Sequence, residues 1–181
     1  PASYSETSNF QTMDPFAQIP PSDPPGQAVT FTSEPLLQPL EVVGTPTLRL
    51  PLAHANGQDA VVFAKLFDVG ADGTTTQIRR QVAPSRIPDA ELASPVDVRL
   101  VGTAHRFDAG DRIQLVLAST DAAYFGLPAP DQLTVTTGAD AFLQLPVVGG
   151  IAAPVDPVDP VVDPAPDPTN PATPSPTTPA P

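Results

Sequence analysis

Leucine returns at every second position in TPTLRLPLA, with Leu48, Leu50 and Leu52 on one side of the chain and Arg49 and Pro51 on the other. A period of two is the repeat of a pleated strand with one buried face, and it does not fit an α-helix, whose faces recur every 3.6 residues. The alternation returns in PVDVRLV, where Val96, Val98 and Leu100 oppose Asp97 and Arg99, and in DRIQLVLAS with Ile113, Leu115 and Leu117. DAVVFAKLFDV, from Asp59, is apolar on both sides, the pattern of a central strand covered on both faces. It runs through GADG into TTTQIRRQVA. Asp72-Gly73 between two strand patterns is a hairpin signal, because glycine takes positive φ at little steric cost. Shorter runs at 28–32, 41–43, 132–136 and 141–145 bring the expected number of strands to about eight. No long amphipathic helix interrupts them, and the 27 Pro and 11 Gly suit turns between short strands far better than helices. The expected fold is therefore all-β, an antiparallel β-sandwich of the jelly-roll kind.

Three regions divide the chain. Residues 1–27 carry scattered aromatics (Tyr4, Phe10, Phe16) without a sustained period and read as an arm or linker laid over this sandwich or over a domain upstream. Residues 28–150 hold the strand patterns. Residues 151–181 place a Pro every two or three positions with Asp and Thr between; such a segment lacks the apolar mass to offset its ordering entropy, and a disordered, extended tail is expected. A Pro/Thr-rich tail of this sort suits a spacer or stalk, which points to an extracellular or cell-envelope location. The chain starts with Pro, and PASYSETS lacks the basic and apolar regions of a signal peptide, so it reads as a piece of something longer.

The net charge of −12 argues against a nucleic-acid partner, which needs clustered Lys and Arg to displace counterions from phosphate. With no Cys there is neither a thiolate metal site nor a cysteine nucleophile. No apolar run approaches the roughly 20 residues of a bilayer span.

Candidate chemistry centres on VGTAHRFDAGDRIQLVLAST. His105 sits beside Arg106 and three residues before Asp108, so a catalytic dyad is conceivable, but the Gly-x-Ser-x-Gly elbow of a serine hydrolase is absent. Asp108 and Asp111 flank Gly110 in a turn where Arg106 or Arg112 pairs with an acid. A brace at a strand corner is expected here rather than a polar ligand pocket. His54, in LAHANGQD, reads as a loop residue. Asp68, Asp72 and Gly73 echo part of a calcium loop without its full Asp-x-Asp-x-Asp-Gly run or its distant Glu, and two His cannot close a zinc site alone; no metal or other cofactor is expected. Tyr124 and Phe125 could stack on a sugar, dock on a neighbouring domain or plug the sandwich end. His105, Arg106, Asp108, Arg112, Tyr124 and Phe125 together form the candidate contact surface.

FTSEPLLQPLEVVGTPTLRLPLA, FAKLFDVGADGTTTQIRRQVA, VDVRLVGTAHRFDAGDRIQLVLASTD and LQLPVV, in this order, resemble the C-terminal, non-catalytic jelly-roll domain of the X-prolyl dipeptidyl-peptidase and cocaine esterase (CocE/NonD) hydrolases. The resemblance covers about 31–148 and excludes the Pro-rich tail. It implies a galactose-binding-like β-sandwich attached to an α/β-hydrolase domain holding the Ser, Asp and His. Such enzymes cleave esters, amides or peptides, often after an X-Pro dipeptide, or transfer acyl groups. It also implies that the triad lies outside this chain, so none of it maps onto these residues. The expected role is an accessory domain that stabilises the catalytic part and walls its cleft. A carbohydrate-binding module for cell-wall glycan, or an adhesion or assembly unit on a Pro-rich stalk, stands as the alternative.

Overall fold

The structure, a computed structural model, describes residues 23, 26–54, 57–78, 82–121, 124 and 133–151. Fourteen strands, all paired antiparallel, lie among these residues, with a 3-10 turn at Asp89–Glu91.

One sheet has the long strand β5 (Ala60–Val69) at its centre. β10 (Arg112–Ala118) pairs along one side of it and β1 (Ala28–Thr32) pairs beyond β10 as an edge. The opposite side of β5 is shared by β6 (Thr75–Gln77) and β7 (Ala83–Ile87). The β5–β6 hairpin turns where expected: Gly70 N–H donates to Thr74 O, Gly73 sits at φ 84° and Asp72 Oδ1 accepts from Thr74 N–H at 2.9 Å. That backbone hydrogen bond holds the Asp72 carboxyl below its ordinary range.

The second sheet consists of three ladders, of four, three and two strands, set along one long line of chain, β2 (Leu40–Gly44), β3 (Thr47–Leu50) and β4 (Leu52–His54). β9 (Thr103–Phe107) and β8 (Val96–Arg99) pair with its first two segments on one side. β13 (Pro146–Val147), β12 (Phe142–Gln144) and β11 (Leu133–Val135) pair along the other, and β14 (Gly150–Ile151) closes on β13. Prolines divide the line because they donate no ladder hydrogen bond. They do not turn it over, since Val42, Pro46, Leu48, Leu50 and Leu52 are all buried and all even-numbered.

The core lies between the sheets. Leu48, Leu50, Leu52, Val96, Val98 and Phe107 from the second sheet meet Ala60, Val62, Leu66, Ile113, Leu115 and Leu117 from the first. β5 is buried on its other face as well, through Phe63, Lys65 and Phe67. This is the all-β sandwich expected from the alternation. Four strands lie outside that expectation: β7, β9 and the short pair β13 and β14. In β7, an edge strand, Pro84 stands opposite Phe63 and has no N–H to donate; in β9 the inward positions are Thr103, His105 and Phe107 rather than aliphatic residues.

Candidate functional site

The corner between β9 and β10 carries the strand from the second sheet to the first. Its turn is Asp108-Ala109-Gly110-Asp111: Asp111 N–H donates to Asp108 O at 3.2 Å, and the Asp111 carboxylate accepts from Asp108 N–H at 2.6 Å. Gly110 occupies φ 93° and donates its N–H to Leu36 O at 2.8 Å, tying the turn to the segment after β1. Arg112 adds a second tie, donating from Nη1 to Ser33 O at 2.9 Å with Glu34 3.8 Å away. Arg106 Nε reaches Asp108 Oδ1 at 3.3 Å in an exposed pair.

His105 faces inward. Its Nε2 lies 2.7 Å from Asp68 Oδ2 on β5, so the contact bridges the two sheets, and its ring stands edge-on to Phe107 with centroids 4.7 Å apart. In a serine-hydrolase triad the acid takes Nδ1 and leaves Nε2 for the nucleophile. Here the carboxylate occupies Nε2 and the ring packs at nearly a right angle against Phe107. Asp68 Oδ1 and Thr103 Oγ1 are buried with no hydrogen-bond partner among the described residues. The arrangement can hold two layers together; it does not present a nucleophile to a substrate.

Tyr124 stands elsewhere, its ring 5.3 Å from Phe63 on the outer face of the first sheet and its hydroxyl donating to Val82 O at 3.5 Å. Burial, and secondarily the charge of Asp121, raise its phenol above the ordinary range. Phe63 pairs with Ala118 whereas Arg112 begins β10, a separation of six residues or about 20 Å along the strand. The six candidates therefore form no single surface. His105, Arg106, Asp108 and Arg112 gather at one corner, Tyr124 lies at the far end, and Phe125 falls outside the described residues. The calcium echo also divides, Asp68 serving His105 and Asp72 its own turn. Among the described residues no group of three His, Asp or Glu is placed to hold a metal ion, and no helix is long and apolar enough to cross a membrane.

Two features had no sequence signal. Lys65, in the middle of β5, is buried on the outer face of the first sheet and pairs with Asp23, a residue of the expected arm. Gln27, from the same segment, accepts from Ser119 N–H at 3.1 Å. The second feature is an apolar cleft of about 60 Å³ at the open edge between β1 and β12, lined by Phe31, Leu50, Leu115, Val135 and Leu143 among others. Alternation predicts which residues turn inward, not whether the sheets meet at their edges.

Comparison with known proteins places these features in context. The sequence pattern of the X-Pro dipeptidyl-peptidase C-terminal non-catalytic domain family matches residues 2–144. No curated protein matches the chain. Similar solved structures include an α-amino acid ester hydrolase at 21% identity and TM-score 0.52, over 67% of this chain and 26% of that one. An aminopeptidase from the marine sediment archaeon Thaumarchaeota archaeon gives the same identity, coverage and TM-score. A CocE/NonD family hydrolase from Staphylococcus aureus aligns at 17% identity and TM-score 0.51, over 67% of this chain and 31% of that one. At such identities the likeness is one of fold, and the chain spans between a quarter and a third of the length of these proteins.

Proposed function

Because the chain belongs to the family of X-Pro dipeptidyl-peptidase C-terminal non-catalytic domains, we propose that it is the architectural companion of an α/β-hydrolase catalytic domain in the same parent polypeptide. It packs on that domain, stabilises it and walls one side of its substrate cleft. The reaction is hydrolysis of a peptide, amide or ester bond, X-Pro dipeptides being the first substrate class to try. The observation that carries this reading is the family match over residues 2–144. The corner residues support it, because His105 and Asp68 are used up in joining the sheets.

The test is expression of the chain with and without the coding region upstream of Pro1, each assayed on chromogenic esters and X-Pro anilides. The longer polypeptide should hydrolyse at least one class and the chain alone none. Turnover by the chain alone would end the non-catalytic reading. The glycan-binding alternative rests on the fold class, and Tyr124, its aromatic candidate, stacks on Phe63. An extracytoplasmic location is proposed on the Pro/Thr composition of the tail.

A further inference from the structure

The two outer faces of the sandwich differ. On the first sheet Phe63, Lys65, Phe67, Val116 and Ala118 are all buried although they point away from the core. On the second sheet the outward residues are open: Val43 is 50% and Val148 61% exposed. The register shows how they sit together. Val43 lies opposite Ala104, with Glu41 opposite Arg106 in the next row, and Val148 donates its N–H to Glu41 O at 2.9 Å. Further along the same face Thr47 lies opposite Arg99, and Arg49 opposite Asp97.

We infer that this face, centred on Val43, Ala104 and Val148, is where the catalytic domain of the parent polypeptide docks, through an apolar surface rimmed by carboxylates. The inference rests on the reading given under Proposed function and adds to it the face and the chemistry of the partner. Three observations lead there. First, the outer face of the other sheet is already covered, which leaves this one as the open sheet face. Second, a chain of net charge −12 places three of its eight cationic residues, Arg49, Arg99 and Arg106, around this apolar centre. Arg49 is tied to Asp97 and Arg106 to Asp108, but Arg99 has no ion-pair partner among the described residues. An arginine rim around an apolar centre is the composition of an interface rather than of an acidic protein's bare surface. Third, nine residues from Glu41 to Arg49 by three strands measure roughly 30 Å by 14 Å, on the order of 400 Å². Domain interfaces within one chain bury about 600–1,500 Å² over both partners, so a face of this size suffices.

The chain contains no cysteine, so single cysteines report on single positions. Val43→Cys and Val148→Cys, with Ala109→Cys in the exposed β9–β10 turn as a control, are labelled with a maleimide in the chain alone and in the polypeptide extended upstream. Labelling at 43 and 148 should slow at least tenfold in the extended form, with the control unchanged. Arg99→Glu, an exposed substitution that leaves the core intact, should restore at least half of the lost rate. Unchanged labelling at 43 and 148, whether the extended form is active or encodes no further domain, overturns the inference. Hydrolysis without protection leaves the proposed function standing and refutes this face. Protection without hydrolysis shows an upstream domain seated on this face but refutes the proposed function and, with it, the identity of the partner inferred here. Protection that appears in the chain alone as its concentration rises assigns the face to a second copy and also overturns it.

Discussion

Removing the carboxylate of Asp23 should destabilise the sandwich far more than its remote position in the sequence suggests. Lys65 projects from the middle of β5 between Phe63 and Phe67, opposite Val116 on β10. Its side chain is 0% exposed and that of Asp23 17%. An ammonium buried among apolar neighbours keeps its charge at acceptable cost only if a counter-charge stays with it; deleting one partner of such a pair costs about 3–5 kcal/mol. Asp23 retains a little contact with water, so the low end applies and Asp23→Ala should cost about 3 kcal/mol. For a domain of this size that is roughly 10–20 °C in Tm. Urea denaturation followed by circular dichroism measures it. Lys65→Met in the same chain should recover most of the loss, since an apolar side chain of similar length leaves no charge to compensate. An Asp23→Ala protein within 0.5 kcal/mol of the parent, or a double variant as unstable as the single one, would refute the reasoning.

The clamp between the sheets answers to a similar comparison of variants. His105→Ala leaves the Asp68 carboxylate without its partner and should cost about 1–3 kcal/mol, whereas Asp68→Asn, which can still hydrogen-bond the imidazole, should cost less; equal losses in chemical denaturation would mean that volume, not the polar contact, matters. At Gly110 the φ of 93° lies where L-residues are strained, and a Cβ there would stand 3.4 Å from Ala71 Cβ. Gly110→Ala should therefore cost about 1–2 kcal/mol, and an unchanged Tm would show that the turn relaxes. The chain has two tyrosines. In a spectrophotometric titration Tyr124 should ionise above the ordinary phenol range, its late step vanishing in Tyr124→Phe and moving only partly back in Asp121→Asn, because burial outweighs the Asp121 charge.

Alternation was a good guide wherever one face of a strand meets the core and the other meets water. Leu48, Leu50 and Leu52, Val96 and Val98, and Ile113, Leu115 and Leu117 are buried as their spacing requires. The two-sided run from Asp59 became the doubly covered β5 for the same reason. Strands were missed where inward positions are polar or aromatic, as in β9, or where proline disguises an edge, as in β7. The resemblance to the CocE/NonD accessory domains carried the functional reading further than patterning could, because nothing in a period of two distinguishes a companion domain from a binding module. The contacts that fix the site are separated too widely for local reading: His105 meets Asp68 across 37 residues and Lys65 meets Asp23 across 42.

Those two long-range pairs explain why the sandwich has one closed and one open outer face. A sheet with a single covered side needs polar residues outward, and β3 and β8 obey this with Arg49 and Asp97. β5 breaks the pattern with Phe63 and Phe67 outward, which commits the chain to bury a second layer over the first sheet, and Lys65 with Asp23 anchors a residue from the N-terminal side within that layer. The His105–Asp68 contact then holds the second sheet against the first at the corner where β9 crosses over. A second sheet so held can present Val43, Ala104 and Val148 as a firm, flat surface, and rigidity of this kind lowers the ordering cost of docking. Weakening the clamp should therefore loosen any partner seated on that face even though His105 itself points away from it.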